Sequence, residues 1–218
     1  MPQRVDIGTK LLIHGDGLVD DYVIKDQCGR VVTVVGNTTL STSSKKFGKT
    51  SINTDGNGDY ISISPVYNPL TEPFTIDLWY DISVFTNKFI IATWNAGSYG
   101  LDIYNNKIRI SSNGTSLNVA DASINLSSGL HHLAVVFSGT NWYVFQDGVQ
   151  KYTVASTGGV CSLTTLEFMG SYIGTGYSID GYISEIRITE KALWIGGTNG
   201  DTYFSPPETP ARGRRGWY

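Results

Sequence analysis

Charge is scarce in this sequence. Lysine, arginine, aspartate and glutamate together make up 16% of the 218 residues, and the formal net charge is −3. Soluble domains usually carry roughly 25% charged residues. Nothing in that balance suits nucleic acid or an anionic membrane surface. Histidine is also rare, at His14, His131 and His132, and cysteine occurs only as Cys28 and Cys161. No Cys/His cluster with the three or four ligands of a zinc site exists. Long apolar runs are missing, since none approaches the ~20 residues of a membrane span. The start, "MPQRVDIGTKLLIHGDG", lacks an apolar core of signal length, so the expectation is a chain made and folded in a cytoplasm. In that setting the two cysteines are expected as free buried thiols, one disulfide being the alternative. The sequons at Asn37, Asn113 and Asn125 read as chance products of a Ser/Thr/Asn-rich chain.

What the sequence does have is strand periodicity. "PFTIDLWYDIS" sets Phe74, Ile76, Leu78 and Tyr80 on one face and Thr75, Asp77, Trp79 and Asp81 on the other. "KLLIHGDG" sets Leu12 and His14 against Leu11 and Ile13. "FIIATW", "YGLDIYN", "KIRISSN", "HHLAVVFSG", "NWYVFQDG" and "YISEIRIT" follow at short spacing, divided by Gly, Asn and Asp turn signals. Asn105-Asn106 and Asp147-Gly148 are suited to two-residue hairpin turns. Only "TEKALW", 189–194, reads as a helical turn. No repeat or linker divides the chain. The expectation is an all-β, single-domain sandwich of two antiparallel sheets over residues 10–195. An N-terminal segment, 1–9, precedes it, and a loop-like tail, 196–218, follows.

"DGNGDY", residues 55–60, begins like a calcium-binding EF-hand loop. That loop needs Gly at its sixth position and Glu at its twelfth, where this chain has Tyr60 and Val66. The EF-hand reading fails, and a tight turn is the better one.

Segments in order along the chain resemble the concanavalin A-like lectin/glucanase superfamily, in particular the laminin G-like jelly rolls of phage structural proteins. They are "LLIHGDG", "KFGKTSINTDGNGDYISIS", "EPFTIDLWYDIS", "LHHLAVVFSGTNWYVFQDGVQ" and "DGYISEIRITEKALW" with the exit "YFSPPETP". The resemblance implies a concanavalin A-like jelly roll. Some members bind calcium with rim acids, which here would fall on Asp16, Asp55 and Asp59, with Asp20, Asp21 and Asp180 as further candidates. Such a structural calcium would need six to eight oxygen ligands.

Glucanases of the superfamily carry clustered carboxylates on one strand. Here Glu185 and Glu190 are five residues apart and alternate in face, while Asp77 and Asp81 lie about 13 Å apart along a strand, too far for either glycosidase mechanism. The chain is therefore expected not to be an enzyme. Two readings remain. The first is a phage virion protein, preferably a head decoration, on the virion surface. Arg212, Arg214, Arg215 and Trp217 of its tail would dock on an acidic capsid face. The second is a glycan-binding module of a tail fibre or other adhesin, using Trp94, Asn95 and Tyr99. Asn141-Trp142 and Tyr172 with Tyr177 are weaker candidates, each with core or rim packing as its plainer role. A homo-oligomer fits either reading.

Overall fold

The computed structural model describes residues 8–64, 72–93, 100–156 and 165–211. Two antiparallel sheets stack face to face. Sheet A runs β13 (Val149–Ala155), β12 (Asn141–Gln146), β11 (Gly129–Phe137), β6 (Phe74–Ile82), β15 (Asp180–Thr189), β4 (Ser51–Asp55) and β3 (Thr39–Ser41). Beside it β1 (Thr9–Ile13) also pairs with β15. Sheet B runs β10 (Ala120–Ser123), β9 (Lys107–Ile110), β8 (Leu101–Tyr104), β7 (Phe89–Ala92), β14 (Leu166–Phe168), β5 (Tyr60–Ile63) and β2 (Val32–Val35). Sequence neighbours are often not sheet neighbours, as where β6 sits between β11 and β15. Those crossovers make the sandwich a jelly roll.

The alternation read from the sequence sets the core. Phe74, Ile76, Leu78, Tyr80 and Ile82 of β6 face inward and meet Ile61, Ile91, Leu101, Ile103, Ile108 and Phe168 from sheet B, all of them buried. Each such side chain contributes about 1.5–3 kcal/mol by leaving water. Trp142 belongs to this core, fully buried against Phe74 and stacked 4.8 Å from Phe137, which fulfils the packing role weighed for it. Both hairpin turns form as expected. Asn105 and Asn106 have φ of 52° and 58°, and Asp147 and Gly148 have 52° and 79°, the signature of type I′.

Two local expectations change. Leu11, Leu12 and Ile13 are all fully buried, because β1 is covered on both faces. "TEKALW" forms no helical turn. β15 ends at Thr189 and the chain continues without helix or strand over sheet A's outer surface. There Thr75 donates its hydroxyl to the Lys191 carbonyl (2.7 Å) and accepts the Leu193 N–H (3.0 Å). The extended path lets Ala192, Trp194, Tyr203 and Phe204 pack on Ala134, Val136, Tyr143 and Phe145. A helical turn would bring fewer of these side chains down onto the sheet. Tertiary burial outweighs local propensity. The segment from Gly196 to Ala211 is loop-like yet fitted to the sheet, with one isolated bridge, Val149 to Thr202.

That fit can be tested at Gly148, which has φ +79°, and where an added Cβ would meet the Phe204 carbonyl oxygen at 1.8 Å. Gly148→Ala is expected to cost about 2–4 kcal/mol in urea denaturation, as strap and turn are both displaced. Gly200→Ala, at φ +95° with open space around it, should cost only about 1 kcal/mol.

Candidate functional site

The strap from Glu190 to Ala211 closes the outer face of sheet A. Beneath it Asp77 of β6 is buried and held by Arg187 of β15 through two bonds, Nε–Oδ1 at 2.9 Å and Nη2–Oδ2 at 3.0 Å. His132 of β11 lies 3.3 Å from the same carboxylate and is ringed by Trp79, Trp194 and Phe204. Burial opposes ionisation of Asp77, but His132 and Arg187 outweigh it and hold the carboxyl below its ordinary value. Glu185 sits with His14 (2.8 Å) and accepts the Ala211 N–H. Glu190 pairs with Lys10 at 2.8 Å, and Asp81 accepts a hydrogen bond from Ser44. The carboxylates weighed for catalysis are thus engaged in holding the fold together.

The outer face of sheet B is different. Alternation in "LDIY" and "KIRI" buries Leu101, Ile103, Ile108 and Ile110 and turns Asp102, Tyr104, Lys107 and Arg109 outward. The β8–β9 hairpin register sets Asp102 opposite Arg109. Arg109 Nη2 donates to Asp102 Oδ2 at 2.8 Å, and the Thr93 N–H donates to the other oxygen at 3.0 Å. The guanidinium lies 4.3 Å from the Tyr104 ring centroid and 5.3 Å from that of Phe89, within cation–π range. Phe89 and Tyr104 are 4.4 Å apart, with Tyr177 of the 3₁₀ turn Thr175–Tyr177 at 5.7 and 6.0 Å. Arg109 Nε is buried without a hydrogen-bond partner among the described residues.

One strand further along, Glu167 of β14 pairs with Ala92. It accepts the Tyr172 N–H at 3.2 Å, and Tyr172 itself is 47% exposed. Burial raises the carboxyl of Asp102, the Arg109 charge offsetting only part of it. Burial also raises Glu167, and the charge of Asp102 adds to the shift. Tyr60 is raised by burial and by Glu167. The face is a platform of tyrosines and one guanidinium above a layer of buried carboxylates. Rings there can stack on apolar C–H surface while the guanidinium and phenols serve hydroxyl groups.

Of the residues nominated from sequence, Tyr177 lies in this cluster and Tyr172 beside Glu167. Trp94, Asn95 and Tyr99 lie outside the described residues, as do Arg212, Arg214, Arg215 and Trp217. Asp55 and Asp59 come together across the turn between β4 and β5. Asp59 accepts the N–H groups of Asn37 and Asp55, both at 2.8 Å, and Asp55 accepts from Asn57 N and Asn37 Nδ2. All four oxygens thus serve amide donors. Those hydrogen bonds, led by Asn37, lower the carboxyl of Asp55, while burial raises that of Asp59. Asp16 belongs to another loop, accepting the Lys49 N–H. Among the described residues no group of three or more His, Cys, Asp or Glu side chains could hold a metal ion. The Cys28 sulfur is half-buried, 3.8 Å from the Thr9 carbonyl oxygen, and Cys161 lies outside the described residues. Among the described residues no helix is long and apolar enough to cross a membrane.

Asp102, Tyr104, Arg109, Glu167 and Tyr60 were not singled out in the sequence. The signal was present for three of them, because the Asn-Asn hairpin fixes a register that brings Asp102, Tyr104 and Arg109 to one face. Glu167 comes from a strand distant in sequence, and nothing local marks it.

The jelly roll thus has one face closed by the strap and one carrying an aromatic and polar cluster. The chain belongs to the concanavalin A-like lectin/glucanases superfamily, a laminin G family model matching residues 55–194. No curated protein matches the sequence. The fold is similar to the binding domain of botulinum neurotoxin DC, solved with rat synaptotagmin II. Identity there is 17% and the TM-score 0.62, covering 87% of this chain and 50% of that one. The chain thus spans about half the length of that neurotoxin binding domain. It is similar to domain 4 of a GH43 extracellular arabinanase from Geobacillus stearothermophilus, solved with arabinotriose, at 15% identity and TM-score 0.61. That match covers 86% of this chain and 95% of the domain. A Trypanosoma rangeli sialidase matches at 10% identity and TM-score 0.54, over 85% of this chain and 31% of the sialidase.

The raised carboxyl of Glu167 gives a pH test. A folded-state value above the unfolded one means the native form binds more protons, so stability falls as pH rises through that window. Glu167→Gln removes this linkage. Its stability relative to the unsubstituted protein is expected to increase between pH 4 and pH 7, read from urea midpoints at each pH. An unchanged difference would show that Glu167 is ionised in a water-like environment.

Proposed function

We propose that this protein is a non-catalytic glycan-binding domain whose ligand face is the outer surface of sheet B. The observation that carries this reading is the half-buried pair Tyr104 and Tyr177, backed from below by the buried Phe89, with Arg109 stacked on Tyr104 and fixed by Asp102. Sugars present apolar C–H faces edged by hydroxyls, and such a surface meets both. The arabinanase domain of the same fold, solved with arabinotriose, supports the reading. Burial supports the absence of catalysis. Asp102 is 0% and Glu167 3% exposed, so these carboxylates brace the platform from below and do not flank a bond above it.

The test is a glycan array followed by calorimetry on the best neutral oligosaccharide. Tyr104→Ala is expected to weaken binding about tenfold, or about 1.4 kcal/mol. Tyr172→Ala should weaken it while leaving the melting temperature in place. Binding that survives both but is lost in Trp94→Ala would move the site to residues 94–99. Binding of no glycan at all would overturn the reading.

A second reading concerns where the domain works, namely on the surface of a phage particle as a head decoration or tail adhesin. Ala211, the last described residue, lies on the sheet A side against Glu185, so a particle contact made there would leave sheet B facing outward. Immunogold labelling of a lysate is expected to mark particle heads evenly for a decoration, or one pole for an adhesin. Label on no particle would sink this setting while leaving glycan binding intact.

A further inference from the structure

The edge of a β-sheet offers unpaired N–H and C=O groups to any strand that meets it, and proteins usually block it with a cover, a charge, a proline or a bulge. On sheet A the edges are covered. The Asp20 N–H donates to the Leu40 carbonyl at 2.8 Å and the Leu40 N–H to the Asp21 carbonyl at 3.1 Å, which covers β3. The strap covers β13, where the Gln150 N–H donates to the Asp201 carbonyl and the Tyr203 N–H to the Gly148 carbonyl, both at 2.9 Å. On sheet B, β10 carries a charge, Asp121, paired with Lys107 at 3.1 Å. β2, at the other end of sheet B, has none of these devices. It lies in "VVTVV", residues 31–35, without charge or proline. Its register with β5 is unbroken by a bulge. Among the described residues no strand or loop pairs with its outer side.

The flank around β2 is apolar. Val32 and Val34 are only partly buried against the core, Val31 is 71% exposed and Thr33 faces solvent. Gly36, Asn37 and Thr38 carry the chain from β2 straight to β3, so the two edges lie on one flank, a sheet spacing of about 10 Å apart. The loop that covers β3 there exposes Leu18, Val19, Tyr22 and Val23. Of the nine large apolar side chains exposed among the described residues, five thus lie on this flank. A partner seated on the β2 edge therefore meets apolar surface beside the backbone ladder.

We propose that β2 is the interface of a two-fold symmetric dimer, pairing antiparallel with β2 of a second copy. The strand is complementary to itself in one register. Centred on Thr33, that register sets Thr33 opposite the second copy's Thr33, Val32 opposite its Val34 and Val31 opposite its Val35. Core-facing positions meet core-facing positions, and solvent-facing ones likewise, as a continuous sheet requires. Pairs of β-branched residues and of threonines are favourable cross-strand neighbours. A shift of one residue would set Thr33 against Val34 and invert the faces, and a shift of two would set Val32 against Gly36. The Thr33 register also brings Arg30 to Gly36 and Asn37 of the second copy. Asn37 Nδ2 donates to Asp55 Oδ2 at 2.8 Å, so a cation of one copy arrives beside an anion of the other. A patch that pairs with itself closes at two copies. The two seven-stranded B sheets then join edge to edge, with their outer faces on the same side. For the glycan reading, on which this consequence alone rests, the dimer presents two ligand faces in one direction and gains avidity for a repeating surface.

Sedimentation equilibrium on the full chain tests this. The average mass is expected to rise twofold with concentration from the 23.8 kDa of one chain. Thr33→Lys sets like charges face to face across the axis and should hold the mass at one chain. Val84→Lys, at a position 57% exposed between β6 and β7, should leave the rise intact. Opposed residues of antiparallel strands have Cα atoms about 4.5–5.5 Å apart, within disulfide range. In a Cys28→Ser, Cys161→Ser background, Thr33→Cys should therefore give a disulfide-linked dimer on mild oxidation, and Val84→Cys should not. One-chain mass at every concentration would overturn the proposal. So would a dimer that Thr33→Lys leaves intact, because its interface would lie elsewhere. A soluble oligosaccharide should bind the Thr33→Lys monomer with unchanged affinity, so failure of the dimer and failure of the glycan reading are told apart.

Discussion

A strand buried on both faces needs two covers, and β6 is such a strand. Antiparallel sheets ordinarily leave one face to water, yet Thr75, Asp77 and Trp79 on the outward side of β6 are nearly as buried as Phe74, Leu78 and Tyr80 on the inward side. The second cover is the strap, seated by Trp194 stacked 4.0 Å from Phe204 at 10° between ring planes. Polar groups under it must find partners, since an unpaired buried charge is costly. Arg187 and His132 therefore converge on Asp77. Lys46 reaches over Trp79 at 4.4 Å and pairs with Glu208 of the strap at 3.2 Å. Closing this face commits its aromatics and carboxylates to stability, which leaves sheet B to carry the exposed cluster.

Sheet B solves the opposite problem. Its outward residues must be polar enough for water and, under the proposed function, fixed enough to recognise a ligand. Tyr104 gains rigidity from Phe89 and Tyr177, and Arg109 from Asp102. Fixing these side chains before a ligand arrives lowers the entropy lost on binding. Ala92 matters by its size: it stands between Asp102 and Glu167 across the sheet, and a larger side chain there would displace the carboxylate layer that supports the platform.

The fold was legible because it rests on period-2 patterning and hairpin chemistry. The sides assigned to β6 and both I′ turns followed from the residues alone. The strap was not, because "TEKALW" has good helical propensity and the reason it stays extended lies on β11 and β12, more than forty residues earlier in the chain. The candidate face was half legible. The hairpin carrying Asp102, Tyr104 and Arg109 is local, whereas Glu167 joins them only through pairing of β14 with β7. Loop aromatics drew attention in the sequence because exposure is expected of loops. Trp142 shows the limit of that inference, since it starts a strand and its ring belongs to the core.

The three histidines show why counting reactive residues misleads here. His131 sits 2.5 Å from Asp147 and secures the turn whose two residues take positive φ. His132 sits under the strap on Asp77, and His14 sits on Glu185, which also accepts the Ala211 N–H of the strap. Each pairs an imidazole with a carboxylate, as a catalytic dyad does. No nucleophilic hydroxyl or thiol is hydrogen-bonded to any of the three among the described residues, so these pairs hold a turn, a strand and a strap. A chemical role would need a third group and an opening to solvent. The half-buried rings of Tyr104 and Tyr177, with Arg109 beside them, lie on the other side of the sandwich, away from all three pairs.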